Sequence, residues 1–194
     1  MNRMRLGSDW EWEVLLKRGV GQVAHEMLVL SAQAGDERSL VRLVRVWQKP
    51  LLRHALRLMP DESSASDAVQ ETWIAIGRSL RGLDDPARFR PWALRIVTNK
   101  CADIARAESR RRRTDRARTQ AGRESGGASS RTDELRRAMG DMDTERRALL
   151  ALHYVDGLGV AELAEVFAVP TGTVKSRLYH ARNELRERIE RMES

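Results

Sequence analysis

The chain has 194 residues, of which 41% are hydrophobic, 32% are charged and 5% are aromatic, and its formal net charge is +7. This length accommodates one domain or two small ones and excludes a large barrel enzyme. Cys101 is the only cysteine, so an internal disulfide is excluded, and no apolar run approaches the roughly 18 residues that a membrane span requires. We therefore expect a cytoplasmic protein without membrane insertion.

Residues 1–21 form an N-terminal extension. Within it, Ser8 and Glu11 have the spacing of a capping box, and apolar residues such as Trp12 and Leu15 follow. A helix formed here would either pack on the next domain or present a surface to a regulator. The sequence leaves both alternatives open.

Residues 36–59 have the periodicity of an amphipathic helix. Apolar residues recur at steps of three and four, which places them on one side of the helix. These residues are Leu40, Leu43, Val44, Trp47, Leu51, Leu52, Ala55 and Leu58. Pro50 lies inside the pattern, where it would kink or divide the helix.

The next predicted helix begins near Ser64, which has Asp67 three residues on in a capping arrangement, and ends near Gly82. The stretch 61–85 contains six acidic and two basic residues. Residues spaced by three or four positions share one side of a helix. That spacing predicts an acidic face made of Asp67, Gln70, Glu71 and Ile74.

A long basic helix follows a loop at 84–86. Pro91 suits its first turn, because its missing N–H would have had no intrahelical partner, and the helix extends to about Arg113. The stretch 86–118 holds eleven basic and three acidic residues. The side chains predicted to face outward are Arg95, Asn99, Asp103 and Arg106. Such a surface favours a polyanion, bound with neutralisation of phosphates and release of counterions.

Large apolar residues are absent from 114–132. With nothing to bury, residues 114–131 are predicted to be a flexible linker. The linker divides the chain into an N-terminal domain at 22–113 and a C-terminal domain at 132–194. The predicted fold class is therefore all-α, with two small helical domains joined by a flexible linker.

The C-terminal domain ends in a predicted helix-turn-helix. Two short helices precede it, one around Met139 and one that contains Val155 and ends at Asp156. Leu163 of the next helix would then pack against Leu178 of the last one. In a helix-turn-helix the second helix enters the major groove of DNA.

Side chains suited to DNA lie on the outer face of that last helix, near its start. This recognition face consists of Lys175, Ser176, Tyr179, His180 and Arg182. Lys175 can donate to guanine O6 or N7, and Tyr179 offers an apolar ring to a thymine methyl group. Thr171 and Thr173 lie where hydroxyl and backbone N–H groups would meet phosphates.

Three blocks of the sequence resemble the ECF (extracytoplasmic-function) group of bacterial RNA polymerase sigma factors. They are SDAVQETWIAI at 66–76, FRPWALRIVTNKCADIARAESRRRR at 89–113 and GLGVAELAEVFAVPTGTVKSRLYHAR at 157–182. The resemblance covers roughly 28–188 and implies that 22–113 is sigma region 2 and 132–194 is sigma region 4. It implies a factor that directs RNA polymerase to specific promoters and assists their opening. A masking anti-sigma factor is also implied.

The resemblance further implies three binding surfaces. The first docks on the clamp helices of RNA polymerase core enzyme through Asp67, Gln70, Glu71, Trp73 and Ile74. The second holds the melted strand of the minus-10 promoter element through Arg88, Phe89, Arg90, Trp92, Arg95, Asn99, Lys100 and Arg106. The third reads the duplex minus-35 element through Thr171, Thr173, Lys175, Ser176, Arg177, Tyr179, His180 and Arg182. Phe89 and Trp92 are equally compatible with a place in the core.

Three departures from the family pattern accompany this resemblance, one of which is that the first twenty or so residues match no family pattern. Ala168 occupies a turn position that is often glycine, and a left-handed conformation there would cost about 1 kcal/mol. Asp143 and Thr144 stand where the family usually has a proline at a helix start, although either residue caps a helix adequately.

Other function classes are less compatible with the sequence. His25 and Glu26 begin like a zinc-protease motif, but Val29 replaces the second histidine. We therefore predict no enzyme, no metal site and no cofactor. The alternative function is a free-standing helix-turn-helix regulator, which usually dimerises to match paired half-sites. Two different DNA-facing surfaces and an acidic docking helix favour the sigma factor.

Overall fold

The computed structural model of this protein describes residues 19–116, 138–140 and 142–193. All regular secondary structure in these three ranges is helical, which confirms the predicted all-α class. The capping box at Ser8 and Glu11 and most of the predicted linker lie outside the described residues. The domain boundaries at 22–113 and 132–194 therefore stay predictions.

Four helices form the N-terminal bundle. They are α1 (Gly19–Gln33), α2 (Glu37–Leu58), α3 (Glu62–Ser79) and α4 (Phe89–Arg116). Two 3-10 turns, Leu80–Gly82 and Pro86–Arg88, connect α3 to α4. The apolar stripes of α2, α3 and α4 pack against one another, and α1 covers them. All four helices therefore contribute to one core.

Local caps decide where the helices begin. Asp36 accepts the backbone N–H groups of Arg38 and Ser39, each at 3.2 Å, and α2 then runs through Pro50 to Leu58 without dividing. Helix α3 begins at Glu62, near the predicted start, but the capping arrangement predicted for Ser64 and Asp67 is wrong. Asp61 is the N-cap residue, and its carboxylate accepts the backbone N–H of Ser64 at 2.8 Å. This is the usual contact of an N-cap side chain, which bonds to the N–H two or three residues further on.

An aromatic cluster occupies the centre of the N-terminal bundle. The ring of Phe89 lies 5.5 Å from both Trp47 and His25, and Trp47 Nε1 donates to His25 Nε2 at 2.8 Å. Burial lowers the pKa of His25, which favours the neutral ring that this hydrogen bond requires. His25 is therefore a half-buried structural residue of the bundle.

The C-terminal bundle consists of α5 (Thr144–Leu150), α6 (Val160–Phe167) and α7 (Thr171–Glu193), with a helical segment at 138–140. Asp143 caps α5 by accepting the N–H of Glu145 at 2.9 Å. A π-helical turn, Ala151–Val155, continues α5. Its wider turn breaks the 3.6-residue period, so Val155 is 60% exposed although it continues the apolar pattern.

Helices α6 and α7 form the predicted helix-turn-helix. Leu163, Val174 and Ala181 are fully buried between them and α5. The turn residue Ala168 has φ 52° and ψ 45°, and its N–H bonds to the Ala164 carbonyl. This is the left-handed conformation, and a side chain there costs about 1 kcal/mol because Cβ crowds the following carbonyl oxygen.

The two bundles are in contact with each other. Helix α4 packs on α5 and α6, and α2 packs on α5 and on the π-helical turn. The buried apolar side chains of both bundles form one continuous cluster. The C-terminal bundle thereby covers the start of α4, where several of the predicted DNA contacts lie.

We predict that Ala168→Gly raises the free energy of unfolding by about 0.5–1 kcal/mol, because glycine adopts the left-handed conformation without the Cβ clash. Urea denaturation followed by circular dichroism measures this change. The matched control is Ala161→Gly, at an exposed position inside α6, which we expect to destabilise by up to about 1 kcal/mol. Equal losses for both variants would contradict the strain at Ala168.

Candidate nucleic-acid interface and docking face

The acidic face predicted on α3 is present and exposed. Asp67, Gln70 and Glu71 are all exposed, and Ile74 is 40% exposed in line with them. Helix α3 takes this orientation because Ala68, Val69, Thr72 and Ile76 are buried on its opposite side. The result is an anionic surface with an accessible apolar side chain, a composition suited to a protein partner rather than to DNA.

Trp73 borders the acidic face but is half-buried. Its indole Nε1 donates to the Gln48 side chain of α2 at 2.6 Å, so the ring orientation is set by the neighbouring helix. Glu71 lies 3.4 Å from Lys100 of α4. That contact turns Lys100 toward the acidic face and away from the remaining cations of α4.

Three residues predicted for the minus-10 surface lie exposed along α4. Arg95, Asn99 and Arg106 are exposed and spaced by four and seven positions, so they share one side of the helix. Arg106 also contacts Asp103 at 2.8 Å. We name this side the α4 face. It extends along three turns of α4, a length suited to contacts with a nucleic-acid backbone.

The predicted aromatic contacts behave differently. Phe89 is fully buried and its ring packs against Trp47 and His25, so it has no exposed surface on which a base could stack in this arrangement. Trp92 is half-buried and its ring lies 5.8 Å from that of Phe89. Part of the Trp92 surface therefore stays accessible beside the α4 face.

Arg88 and Arg90 flank Phe89 and contact the C-terminal bundle. Arg88 Nε donates to Glu165 at 3.0 Å. Arg90 donates from Nη1 to Glu162 at 3.2 Å and from Nη2 to the Asp156 carbonyl at 2.6 Å. Both cations predicted to hold phosphates are thus engaged by groups of the C-terminal bundle.

The recognition face on α7 is accessible. Lys175, Ser176, His180 and Arg182 are exposed and Tyr179 is 55% exposed, while the opposite side of α7 buries its apolar residues against α6. The Tyr179 and His180 rings lie 5.5 Å apart in an edge-on arrangement. The face therefore presents donors and an aromatic ring on one continuous surface.

The remaining residues predicted for the minus-35 surface differ from one another in exposure and in contacts. Thr171 is exposed at the first position of α7, and Thr173 is half-buried with its carbonyl accepting the Ser176 hydroxyl at 3.0 Å. Arg177 forms an ion pair with Glu145 of α5. Arg177 is thereby directed toward α5, to the side of the recognition face.

A cluster around Asp156, not predicted from the sequence, joins the two bundles. Its carboxylate lies 2.8 Å from Arg57 and 3.3 Å from His54 Nδ1. His54 is fully buried, and its Nε2 lies 3.0 Å from the Thr98 hydroxyl. In the sequence, this cluster could have been inferred only from the position of His54. It continues the apolar stripe of α2, where a hydrophobic residue is expected.

Opposing effects act on the Asp156 carboxyl. Burial raises its pKa, but the hydrogen bond and charge of His54 together with Arg57 outweigh burial and lower the pKa below its ordinary value. The ionised form is thus the one that the cluster stabilises. The ionised carboxylate in turn stabilises the contact between the two bundles.

Other kinds of site find no support in the ranges 19–116, 138–140 and 142–193. No group of three or more histidine, cysteine or acidic residues is placed there to hold a metal ion. No helix in those ranges has the length and apolar character to cross a membrane. Burial raises the pKa of the Cys101 thiol to about 12, which keeps it protonated and unreactive.

Two family models match the chain. The one described as Sigma-70 region 2 matches residues 43–111, and the one described as Sigma-70, region 4 matches residues 132–185. Together these ranges span more than half of the chain. The region 2 match disfavours a free-standing helix-turn-helix regulator, because such a protein has no need of the N-terminal bundle.

Similar proteins were found among curated sequences and solved structures. The ECF RNA polymerase sigma-E factor of Salmonella typhimurium is 28% identical over 184 residues, which are 87% of this chain and 96% of that protein. CnrH, solved with the cytosolic domain of CnrY, superposes with a TM-score of 0.63 at 26% identity and covers 86% of this chain and 97% of its own.

RpoE of Bartonella quintana, solved with the anti-sigma factor NepR, shares the fold with a TM-score of 0.62 at 20% identity, over 77% of this chain and 95% of its own. Both halves of the chain thus match sigma domains, in the same order as in relatives of similar length. The chain belongs to the ECF group of bacterial RNA polymerase sigma factors.

Proposed function

We propose that this sigma factor divides its work among three surfaces: the acidic face binds RNA polymerase core enzyme, the α4 face holds the opened minus-10 element, and the recognition face reads the minus-35 element. The observation that carries the proposal is the separation of charge on two adjacent helices. The acidic face of α3 and the cationic α4 face lie on different helices, so a protein and a polyanion are bound without mutual exclusion.

The acidic face suits a helical, basic protein surface. Its two carboxylates, Asp67 and Glu71, lie within two turns on the N-terminal side of Ile74, so a partner side chain covering Ile74 removes apolar surface from water while the carboxylates meet cations beside it. Trp73 supports this surface from beside it through its hydrogen bond to Gln48. The clamp helices of polymerase are the partner that we assign to it.

The α4 face suits a single strand more than a duplex. Arg95 and Arg106 provide cations for phosphates, and Asn99 between them offers both a donor and an acceptor to a base edge. The accessible part of Trp92 gives an unstacked base an apolar surface to rest on. Arg88, Arg90 and Lys100 add phosphate contacts once released from their present carboxylate and carbonyl partners.

The recognition face fits the major groove of the upstream element. Its position at the start of the second helix of a helix-turn-helix matches the way that motif docks on DNA. Lys175 and Tyr179 provide base contacts, and Thr171 at the N-terminus of α7 provides a phosphate contact. Arg177 supports α7 through Glu145 in the described arrangement and reaches a backbone phosphate after rotation of its side chain.

Regulation by a masking protein follows from the same surfaces. Structural neighbours of this chain were solved with a second protein bound, the cytosolic domain of CnrY and the anti-sigma factor NepR. We infer that this chain also has an anti-sigma partner, which acts by covering the acidic face or the DNA surfaces. The chain would act in the cytoplasm, and nucleotide chemistry would belong to the polymerase.

Transcription in vitro tests the proposed function. We expect core polymerase on a pool of genomic fragments to start RNA synthesis at a defined set of promoters only when this chain is added. Mapping of the RNA 5′ ends measures the result. Initiation at the same sites without the chain would overturn the proposal.

The double variant Asp67→Lys, Glu71→Lys tests the acidic face. We expect its affinity for core polymerase to fall by about tenfold or more, because reversed charges meet a basic partner. Biolayer interferometry measures the affinity, and circular dichroism verifies the fold. The control Glu187→Lys, Glu190→Lys makes the same charge change on α7, and an equal loss of affinity there would contradict a specific docking face.

Lys175→Ala and Tyr179→Ala test the recognition face. We expect each to relax base preference at one upstream position, at a cost of about 1–3 kcal/mol for the preferred base. Holoenzyme binding to a library randomised at the minus-35 element measures this preference. An unchanged preference in both variants would remove these side chains from base recognition.

A further inference from the structure

Helix α2 carries a row of cations that the proposed function does not use. Their spacing of four, three, four and four residues places them on one side of the helix. The opposite side is buried through residues such as Leu43, Trp47 and Leu51. We name the cationic side the α2 face, and it consists of the exposed side chains Arg38, Arg42, Arg45, Lys49 and Arg53.

Helix α2 itself supplies little negative charge to balance these cations. Glu37, in the first turn, is the single acidic residue of the helix, and the N-cap Asp36 precedes it. Every cation from Arg42 onward lies more than one turn beyond these two carboxylates. Arg45 and Lys49 are like charges four residues apart, and such pairs destabilise a helix. Helix stability therefore does not account for the α2 face.

The C-terminal half of α7 is a basic helix surface of a different kind. There Arg186 Nε lies 3.9 Å from Glu190 Oε1, and Arg188 Nη2 lies 2.8 Å from Glu184 Oε1, each pair four residues apart. Acidic residues thus balance the cations within that helix, as is usual for a surface that contacts water. The matching positions of the α2 face hold further cations, so α2 does not balance its own charge.

We propose that the α2 face is a fourth binding surface, which holds the phosphate backbone of double-stranded DNA without reading its sequence. It does not depend on the three surfaces of the proposed function, because none of its residues belongs to them. A row of cations neutralises phosphates and releases their counterions. Such contacts orient a protein on DNA and carry no sequence information.

The side chains of α2 favour a duplex over a single strand. Single strands are held by aromatic side chains on which unpaired bases stack. Trp47, the aromatic residue of α2, is buried on the opposite side. Gln48 borders the α2 face, but its side-chain oxygen accepts the indole N–H of Trp73. The α2 face therefore offers cations to phosphates and no surface to bases.

The length of the α2 face also suits a duplex. From Arg38 to Arg53 the helix rises by about 22 Å, at about 1.5 Å per residue. Duplex DNA advances by about 3.4 Å per base pair, so the face extends along about six base pairs. Four of its five cations are arginines, whose guanidinium groups bind phosphates through two parallel hydrogen bonds. DNA presents phosphates along that whole length, whereas an acidic polypeptide would need carboxylates at matching positions.

The variant Arg42→Gln, Arg45→Gln tests the α2 face in the full chain. Its control is Arg78→Gln, Arg81→Gln, which removes two exposed arginines of the same spacing from the end of α3 and the turn that follows. The control reports the effect of net charge, because its two arginines lie in the acidic stretch 61–85. A second variant, Arg42→Lys, Arg45→Lys, keeps the charge of the α2 face.

Fluorescence anisotropy measures the affinity of each protein for a labelled duplex of mixed sequence over a range of salt concentrations, and circular dichroism verifies the fold. We expect the glutamine variant to bind about 3- to 30-fold more weakly than the unaltered chain at about 100 mM salt. The slope of log affinity against log salt concentration should fall by about 2, since two phosphate contacts are lost. The control and the lysine variant should keep the slope of the unaltered chain.

An equal change of slope in the glutamine variant and its control would overturn the proposal, because net charge alone would then explain the loss. A fall of the slope in the lysine variant would overturn it as well, since the charge is retained there. The same proteins are also titrated into labelled poly-L-glutamate. We expect the glutamine variant to lose less affinity for this polymer than for the duplex. An equal loss would assign the α2 face to an acidic polypeptide instead of DNA.

Discussion

A charge enclosed between two parts of a protein needs a partner, and Asp156 is the residue at which the two bundles meet this requirement. Its carboxylate lies 2.8 Å from Arg57 and 3.3 Å from the buried ring of His54. Because His54 also contacts Thr98 of α4, the cluster ties the C-terminal bundle to two helices at once. The placement of α6, and through it of α7, follows from this cluster together with the apolar packing around it.

Charge separation within the N-terminal bundle depends on a second constraint, which is that each helix buries only one side. Helix α3 buries small and β-branched residues such as Ala68 and Val69, and its opposite side is left for acidic residues. Helix α4 buries Ala93 and Val97 and leaves its cations outside. A protein partner and a nucleic-acid partner therefore find different chemistry on neighbouring helices, joined at one point by the contact between Glu71 and Lys100.

In the C-terminal bundle, the tight turn between α6 and α7 requires a small amount of backbone strain. Ala168 takes the left-handed conformation that reverses the chain between α6 and α7. The close crossing that results buries Leu163 against Val174, and this burial outweighs about 1 kcal/mol of strain. The recognition face is accessible because α7 is oriented by that crossing and by the ion pair between its Glu184 and Arg146 of α5.

The sequence by itself determined helices α2 to α7, their order and the exposed faces of α3 and α7, because the periodicity of apolar residues is a local property that one helix carries alone. It did not determine whether Phe89 was a core or a stacking residue, since that depends on where α1 and α2 place His25 and Trp47. Nor did it indicate that Arg88 pairs with Glu165, 77 residues away, or that His54 pairs with Asp156. Those contacts arise only when two bundles dock, and docking is decided by shape and charge across distant parts of the chain, which no local pattern encodes.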